Sequence, residues 1–323
     1  MADSSRSQPR TLHVIANGKI AGDPRLREAV RVVRERGHQV CVSVTWEAGD
    51  AASLVGAAAI ASADGVVAAG GDGTINEVVS GLVGLSQSSS PPNRLPALGI
   101  VPMGTANDFA RGCGVPTDDL TEALLNVAEG VATPIDAGRV NGRTFVNVAT
   151  GGFGTQVTVE TPPEVKRLLG RVAYLVSGVV SIGRLQARTI RVRAPDFEWQ
   201  GATYVFAVGN GRQAGGGFQM CEHALLNDGL LDLMIVPDVP YDQALDLLRE
   251  LLSPPPHTNY QSVIYRQVPW VEISSTAGLA MNLDGEPLQA ENFHFEMAPQ
   301  AISCYLPADA PLVRADQALS PRG

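Results

Sequence analysis

The stretch AAGGDGTINEV, residues 68–78, decides how the first half of the chain is read. It closes an apolar run, Gly65 to Ala69, with the length and composition of a buried strand, and it leads into a segment from about Ile75 to Leu85 that predicts a helix. A glycine-rich turn at that junction suits phosphate, because glycines let the backbone approach the oxygens and the N–H groups of a helix start favour negative charge. The turn is neither of the two familiar phosphate loops. No Gly-Lys-Ser/Thr follows it, and the G-x-G-x-x-G spacing of dinucleotide sites is absent. Asp72 in its middle would repel bare phosphate. It fits a loop that meets phosphate through magnesium, which takes one or two carboxylates plus phosphate oxygens, or one that grips a ribose hydroxyl. A plain strand–helix turn with an aspartate cap is the simpler alternative.

Outward from this turn, the pattern repeats. PMGTANDFARG (102–112) places Gly104-Thr105 after the strand Ala97 to Pro102 and before another helix, with Asn107 and Asp108 in its first turn. Upstream, the strand Leu12 to Ala16 ends in Asn17-Gly18, and a strand through Val40, Val42 and Val44 ends at Thr45. Between them Asp23-Pro24 starts a helix whose apolar positions are Leu26, Ala29, Val30 and Val33, and an Asp50-capped, alanine-rich helix follows Thr45. Strands alternating with helices predict a parallel sheet, and such sheets bind ligands at the carboxyl ends of their strands. Four consecutive strand ends with small, polar or glycine residues point to a nucleotide site.

Beyond residue 133 the pattern changes to strands. Ile135 to Val140 and Arg143 to Ala149 flank Asn141-Gly142, the favoured hairpin turn. Further strands are expected near 188–193, 202–209, 230–236, 270–274, 279–283, 292–297 and 301–305, with helices near 163–182 and 241–252. The fold class is therefore α/β in two domains: a parallel α/β nucleotide domain over 11–133 and a mainly-β, sandwich-like domain over 134–313, whose last strands could pack back on the first. The tails 1–10 and 314–323 are expected to be disordered.

Composition narrows the function classes. With 45% hydrophobic and 18% charged residues, 323 residues can build two cores, and a net charge of −9 argues against a nucleic-acid partner. Cys41, Cys113, Cys221 and Cys304 lie far apart without zinc-ligand spacing and read as reduced core thiols, favouring a cytoplasmic protein. The longest apolar stretch, Val172 to Ile182, is about half the roughly 20 residues of a membrane span.

Gly70-Gly71-Asp72-Gly73-Thr74-Ile75-Asn76-Glu77 together with Gly104-Thr105-Ala106-Asn107-Asp108-Phe109-Ala110 resembles the diacylglycerol kinase catalytic-domain family. VTWEAGDA (44–51), NVATGGFGT (147–155), GNGRQAGGG (209–217), LLNDGLL (225–231) and NLDGEPL (282–288) extend the resemblance over roughly residues 12–313. The chain departs from the family pattern at His223, where many relatives carry proline, and in the serine- and proline-rich linker 86–93.

The resemblance implies an ATP-dependent lipid kinase with a fold like that of NAD kinases and diacylglycerol kinases. It implies that ATP and Mg2+ are held by Thr45, Gly70, Gly71, Asp72, Gly73, Thr74, Ile75, Asn76 and Thr105. It also implies that Glu286, in Asp284-Gly285-Glu286-Pro287, is the general base that takes the proton of a lipid hydroxyl. On the residues alone, Asp-Gly followed by a solvated glutamate is an ordinary hairpin. Leu225, Asp228 and Leu230 match positions that bind a second divalent ion, Mg2+ or Ca2+, while Asn227-Asp228-Gly229 by itself is a turn. Gly215 to Gly217 is a loop or a substrate contact.

Independently of the family, residues 165–195 contain no acid but hold Lys166, Arg167, Arg171, Arg184, Arg188, Arg191 and Arg193 around the apolar run. Such a segment suits transient, peripheral contact with an anionic membrane; the alternative is a core helix beside a strand whose arginines face water. NAD kinases and phosphofructokinases share a Gly-Gly-Asp-Gly loop, so a kinase of a soluble substrate is one rival reading and a non-catalytic nucleotide-binding regulator another. The acceptor lipid (diacylglycerol, phosphatidylglycerol or a sphingoid base) and the oligomeric state are not encoded in any motif.

Overall fold

The computed structural model describes residues 8–152, 187–238 and 263–314. The chain divides into two compact units, Met1–Ala137 with Pro299–Gly323, and Gly138–Ala298.

In the first unit, β1 (Thr11–Asn17), α1 (Pro24–Glu35), β2 (Gln39–Thr45), α2 (Asp50–Ile60), β3 (Gly65–Gly70), α3 (Asp72–Ser86), β4 (Ala97–Pro102), α4 (Asp108–Gly112) and α5 (Leu120–Glu129) follow in order. The sheet runs β2-β1-β3-β4 with every pair parallel, as the alternation requires. Leu12, Val14 and Ala16 of β1 share one core with Leu26, Ala29, Val30 and Val33 of α1 and with Leu120, Leu124 and Val127 of α5. Helix α1 starts as expected, with Asp23 accepting from Arg25 N–H and proline in the first turn. The sequence reading did not isolate α5, although Asp119 caps it by accepting from Thr121 and Glu122 N–H.

Several boundaries move. Helix α3 begins at Asp72 rather than near Ile75, so the glycine loop proper is only Gly70-Gly71. Asp50 is the first residue of α2, not its cap: Gly49 takes that place at φ 90°, and the Asp50 carboxylate accepts from Trp46 and Glu47 N–H instead. Cys41 is exposed on the edge strand β2, whereas Cys113, Cys221 and Cys304 are buried thiols. Arg10, assigned to a disordered tail, is anchored. Its guanidinium donates to the Val127 and Gly130 carbonyls at 2.7 and 2.6 Å and lies 4.8 Å over the Tyr305 ring.

The second unit is built from β5 (Ala132–Val140, which begins in the first unit), β6 (Arg143–Phe145), β7 (Val148–Gly152), β8 (Arg188–Ala194), β9 (Phe197–Gly209), the short pair β10 (Gln213–Ala214) and β11 (Phe218–Gln219), β12 (Leu231–Pro237), β13 (Ile264–Val268), β14 (Trp270–Leu283) and β15 (Glu286–Tyr305). Strands β13-β12-β9-β7-β14-β15 pair antiparallel in that order, and β8 pairs with both β9 and β14. Phe145, Phe206, Phe293 and Phe295 are fully buried in the core, with Phe145 and Phe295 edge to face at 6.1 Å. The two strands expected at 270–274 and 279–283 are one, β14, with a register break between Ser274 and Leu279. The last strand, β15, leaves this unit and ends in the first, where Cys304 lies parallel to Leu98 of β4.

Among the described residues no helix is long and apolar enough to cross a membrane. The helices expected near 163–182 and 241–252, and with them most of the basic–apolar segment, lie outside the described residues. Of that segment's arginines, Arg193 pairs with Glu272 at 2.6 Å and Arg191 with Glu198 at 3.8 Å, both on the solvent face of β8.

Candidate active site

The carboxyl edge of the first unit's sheet is tied together residue by residue. Asn17, ending β1, donates from Nδ2 to Thr74 Oγ1 at 3.3 Å, while its Oδ1 accepts from Lys19 N–H. Gly18 N–H donates to Thr45 Oγ1 at 3.4 Å, which occupies the buried end of β2. Met103 N–H donates to Gly70 O at 2.8 Å and so registers the end of β4 on the end of β3. The two glycine turns touch backbone to backbone. A Cβ on Gly104 would stand 2.5 Å from Gly71 Cα and 2.8 Å from Asn107 Oδ1, so that position needs the bare hydrogen, while a Cβ on Gly71 would lie a tight 3.2 Å from Gly104 Cα.

Asp72 has a role the sequence did not disclose. Asn107, the N-cap of α4, adopts the left-handed region at φ 51° and folds its amide back on Gly104, accepting from Gly104 N–H at 2.8 Å and donating to Gly104 O at 3.0 Å. Its side chain is therefore spent elsewhere, and the first amides of α4 need another acceptor. Asp72 supplies it: Oδ2 accepts from Asp108 N–H at 3.2 Å and Oδ1 from Phe109 N–H at 3.0 Å. A helix start on the second turn is thus capped by the aspartate of the first. That aspartate also sits in the first turn of α3, where a negative charge is favoured.

The start of α3 itself carries no side-chain cap, because Gly71 is its N-cap. The first helical bond runs from Ile75 N–H to Gly71 O at 3.1 Å, which leaves the amides of Asp72, Gly73 and Thr74 ahead of it at the helix mouth. Ile75 is fully buried, and its contribution to the edge is packing. Asn76 Oδ1 accepts from Ser80 Oγ–H at 3.2 Å, and Thr105 is exposed in the second turn. Thr45, Gly70 to Asn76 and Thr105 therefore belong to one edge.

In the second unit Glu286 opens β15 directly after a two-residue turn, Asp284-Gly285, with φ 47° and 100°. Asp284 is buried, and its carboxylate accepts three backbone N–H groups: Val146 at 2.8 Å, Asn147 at 3.1 Å and Val148 at 3.1 Å. Asn282 Oδ1 accepts from Gly285 N–H at 2.7 Å. The turn is pinned to the β6–β7 junction, and Glu286 projects from a fixed base. Its Oε2 accepts from Arg143 Nη2 at 2.8 Å, with both side chains about half exposed.

Leu225, Asp228 and Leu230 lie on one short run before β12. Asp228 Oδ1 accepts from Leu230 N–H at 3.1 Å, and Gly229 turns the chain at φ 76°. Just beyond, Asp232 is fully buried, accepts from Tyr265 Oη–H at 2.5 Å and from Gln267 Nε2, and burial pushes its pKa up to about 6. No group of three or more His, Cys, Asp or Glu side chains capable of holding a metal occurs among the described residues.

Asn17, Asn107, Asp284 and Arg143 organise these positions. The first three are visible in the motifs as residues, though not as hydrogen-bonding partners. Arg143 had no signal, being 143 residues from Glu286 in the chain.

A parallel α/β unit with two interlocked glycine turns, followed by a strand-rich unit, is the two-domain architecture of the diacylglycerol kinase and NAD kinase class. Family models separate the members of that class: residues 11–140 match the diacylglycerol kinase catalytic domain, and residues 147–306 match the YegS C-terminal NAD kinase beta sandwich-like domain. The chain belongs to the diacylglycerol kinase catalytic-domain family, in its YegS-type branch. It is 46% identical over 302 residues to a Cronobacter sakazakii protein named "Probable lipid kinase YegS-like", covering 93% of this chain and 97% of that one. A Yersinia pestis protein of the same name is 44% identical over 307 residues, covering 94% and 99%. Among solved structures, a diacylglycerol kinase from Bacillus anthracis shares the fold at a TM-score of 0.70 and 18% identity, covering 94% of this chain and 99% of its own. A second structure from that organism reaches 0.79 at 21% identity, covering 96% and 99%. The family uses ATP and a divalent metal.

Proposed function

We propose that the chain transfers the γ-phosphoryl group of ATP to a hydroxyl of a membrane lipid, with Glu286 as the general base. The observation that carries this reading is the interlocked edge of the first unit, where Gly71 and Gly104 meet and Asp72 caps α4. The amides of Asp72, Gly73 and Thr74 at the mouth of α3 are the donors for phosphate oxygens in a site with no P-loop lysine. Thr105 follows β4, the strand beside β3, and Thr45 ends β2, which lies beyond β1 on the other side of that mouth.

A carboxylate has about four acceptor positions, and the two N–H bonds to Asp72 leave capacity for a magnesium ion or a ribose hydroxyl. Magnesium would there neutralise phosphate charge. Glu286 takes the acceptor hydroxyl's proton as the new O–P bond forms and the bond to the departing ADP oxygen breaks. Leu225 and Leu230, through their carbonyls, and Asp228, through its carboxylate, would hold a second ion, Mg2+ or Ca2+, with a structural role.

The substrate is a lipid by family relationship. Diacylglycerol, phosphatidylglycerol and sphingoid bases each offer a hydroxyl beside apolar chains. Transient membrane contact through residues 165–195 rests on the sequence pattern; its described part, β8, commits Arg191 and Arg193 to Glu198 and Glu272. The test is ATP turnover with mass-spectrometric product identification on a panel of these lipids and NAD, using wild type, Asp72→Ala and Glu286→Gln. Phosphorylated lipid lost in Glu286→Gln supports the reading. NAD phosphorylation by the wild type, or undiminished lipid phosphorylation in Glu286→Gln, overturns it.

A further inference from the structure

We infer that Arg143 is a positioning residue for Glu286: the fold holds the two side chains as a preformed pair in which Arg143 fixes one carboxylate oxygen and leaves the other for the acceptor hydroxyl. The inference rests on the reading of Glu286 as the base. An exposed ion pair on its own would carry little weight, because two long side chains lose entropy in meeting and solvent screens them. The backbone around this pair removes much of that objection.

Arg143 begins β6 immediately after the Asn141-Gly142 turn. Asn141 binds that turn to β15, the strand that Glu286 opens. Its Oδ1 accepts from His294 N–H at 2.8 Å, its Nδ2 donates to Asn292 O at 2.9 Å, and its own N–H donates to His294 O at 3.1 Å. On the other side of Arg143, Asp284 accepts the N–H groups of Val146, Asn147 and Val148, and so binds the end of β6 to the turn that precedes Glu286. Asn141, two residues before Arg143, is thus fastened to Asn292 and His294 further along β15, and Val146 to Val148, three to five residues after it, to Asp284, two residues before Glu286. Six hydrogen bonds set where both side chains originate. Strand pairing adds to this, with Val140 opposite Arg143 and Leu283 opposite Glu286.

The chemistry gives such a pair a use. A glutamate at a solvent-exposed strand start samples several rotamers, and a base displaced by an ångström loses much of its effect. Arg143 Nη2 holds Oε2 at 2.8 Å, which selects one orientation while Oε1 takes the proton. In the transfer the acceptor O–H bond breaks, its proton goes to Oε1, the acceptor oxygen bonds to the γ-phosphorus, and the β,γ-bridging oxygen leaves with ADP. Arg143 touches none of the reacting atoms. It acts through Glu286.

Full-length wild type, Arg143→Gln, Arg143→Lys and Glu286→Gln should be compared with radiolabelled ATP and detergent micelles containing dioleoylglycerol, dioleoylphosphatidylglycerol and sphingosine. Both residues are on the surface, and circular dichroism checks that each variant is folded. The expected result for Arg143→Gln is a three- to tenfold loss of kcat with the KM values for ATP and lipid unchanged, and at least half of that activity restored in Arg143→Lys. Wild-type kcat in Arg143→Gln beside an inactive Glu286→Gln overturns the inference and leaves the base assignment standing. A raised lipid KM with unchanged kcat also overturns it, by making Arg143 a substrate contact. Full activity in Glu286→Gln, or no turnover in the wild type, removes the base reading and the inference with it.

Discussion

Asp72 in the first unit and Asp284 in the second use the same device for different ends. Each belongs to an Asp-Gly step of a conspicuous motif, and each spends its carboxylate on backbone amides of a remote segment. Asp72 holds two amides at the start of α4, and Asp284 holds three at the β6–β7 junction. They differ in what is left over. Asp284 is buried and its turn is closed, which makes it a structural clamp beside Glu286. Asp72 stands half-buried at an open edge, where the same carboxylate has lone pairs to offer a ligand. A conspicuous aspartate therefore marks a joint between segments first, and its exposure decides whether it also meets substrate.

Breaking the buried clamp should have the largest effect. Asp284→Ala leaves three buried N–H groups without an acceptor, a loss of about 4 kcal/mol of stability. Urea denaturation reads it directly, and phosphoryl transfer should fall with it because the turn carrying Glu286 is no longer fixed. Asp284→Asn should recover only part, since an amide offers one acceptor oxygen where the carboxylate offers two.

Gly104→Ala attacks the other joint from its backbone side. The added methyl would lie 2.5 Å from Gly71 Cα, and forcing it in costs about 2–3 kcal/mol. The two turns would part, so the KM for ATP should rise several-fold, while hydrogen exchange in β9 and β12 of the second unit stays as in the wild type. Asp72→Ala is milder for stability, about 2 kcal/mol, because it abandons two amides where Asp284→Ala abandons three. Its signature is local: faster exchange at Asp108 and Phe109, with a loss of turnover larger than the loss of stability would produce. A turnover loss no larger than that would place Asp72 with Asp284, as a clamp alone.

The sequence disclosed the elements of this comparison better than their connections. The parallel sheet followed from strands alternating with helices, and its polar carboxyl edge from four strand ends, because both are consequences of local pattern. The Asn141-Gly142 hairpin was equally legible, with both residues now at positive φ. What stayed hidden was which remote backbone a side chain serves. That the Asp72 carboxylate also caps a helix start 36 residues away is not visible in its own motif. The Arg143–Glu286 pair was hidden for the same reason, since it is made only when β6 and β15 are brought together. Boundaries failed where side chains act backward along the chain, as Asp50 does on Trp46 and Glu47, or where one long strand was cut by an internal irregularity, as at Ser274.

The smallest predicted effect separates the units by pH. Two histidines of the first unit, His13 and His38, are buried, and burial lowers the pKa of both. His13 Nε2 lies 2.8 Å from Ser43 Oγ between β1 and β2, and His38 Nδ1 accepts from Arg10 N–H at 3.1 Å, a bond that requires that nitrogen unprotonated. A base whose folded pKa is depressed is protonated first in the unfolded chain, at the ordinary value near 6.5. Above that pH the two states carry the same charge and the histidines contribute nothing to the dependence. As pH falls through 6.5 toward the lowered folded values, the unfolded state gains protons that the folded one refuses, and stability drops. Between pH 7.5 and 5.5 the amides of β1 and β2, corrected for intrinsic rates, should therefore lose protection more than those of β14. In a His13→Gln/His38→Gln double variant that difference should shrink. An unchanged difference would place the acid sensitivity elsewhere than in these two rings.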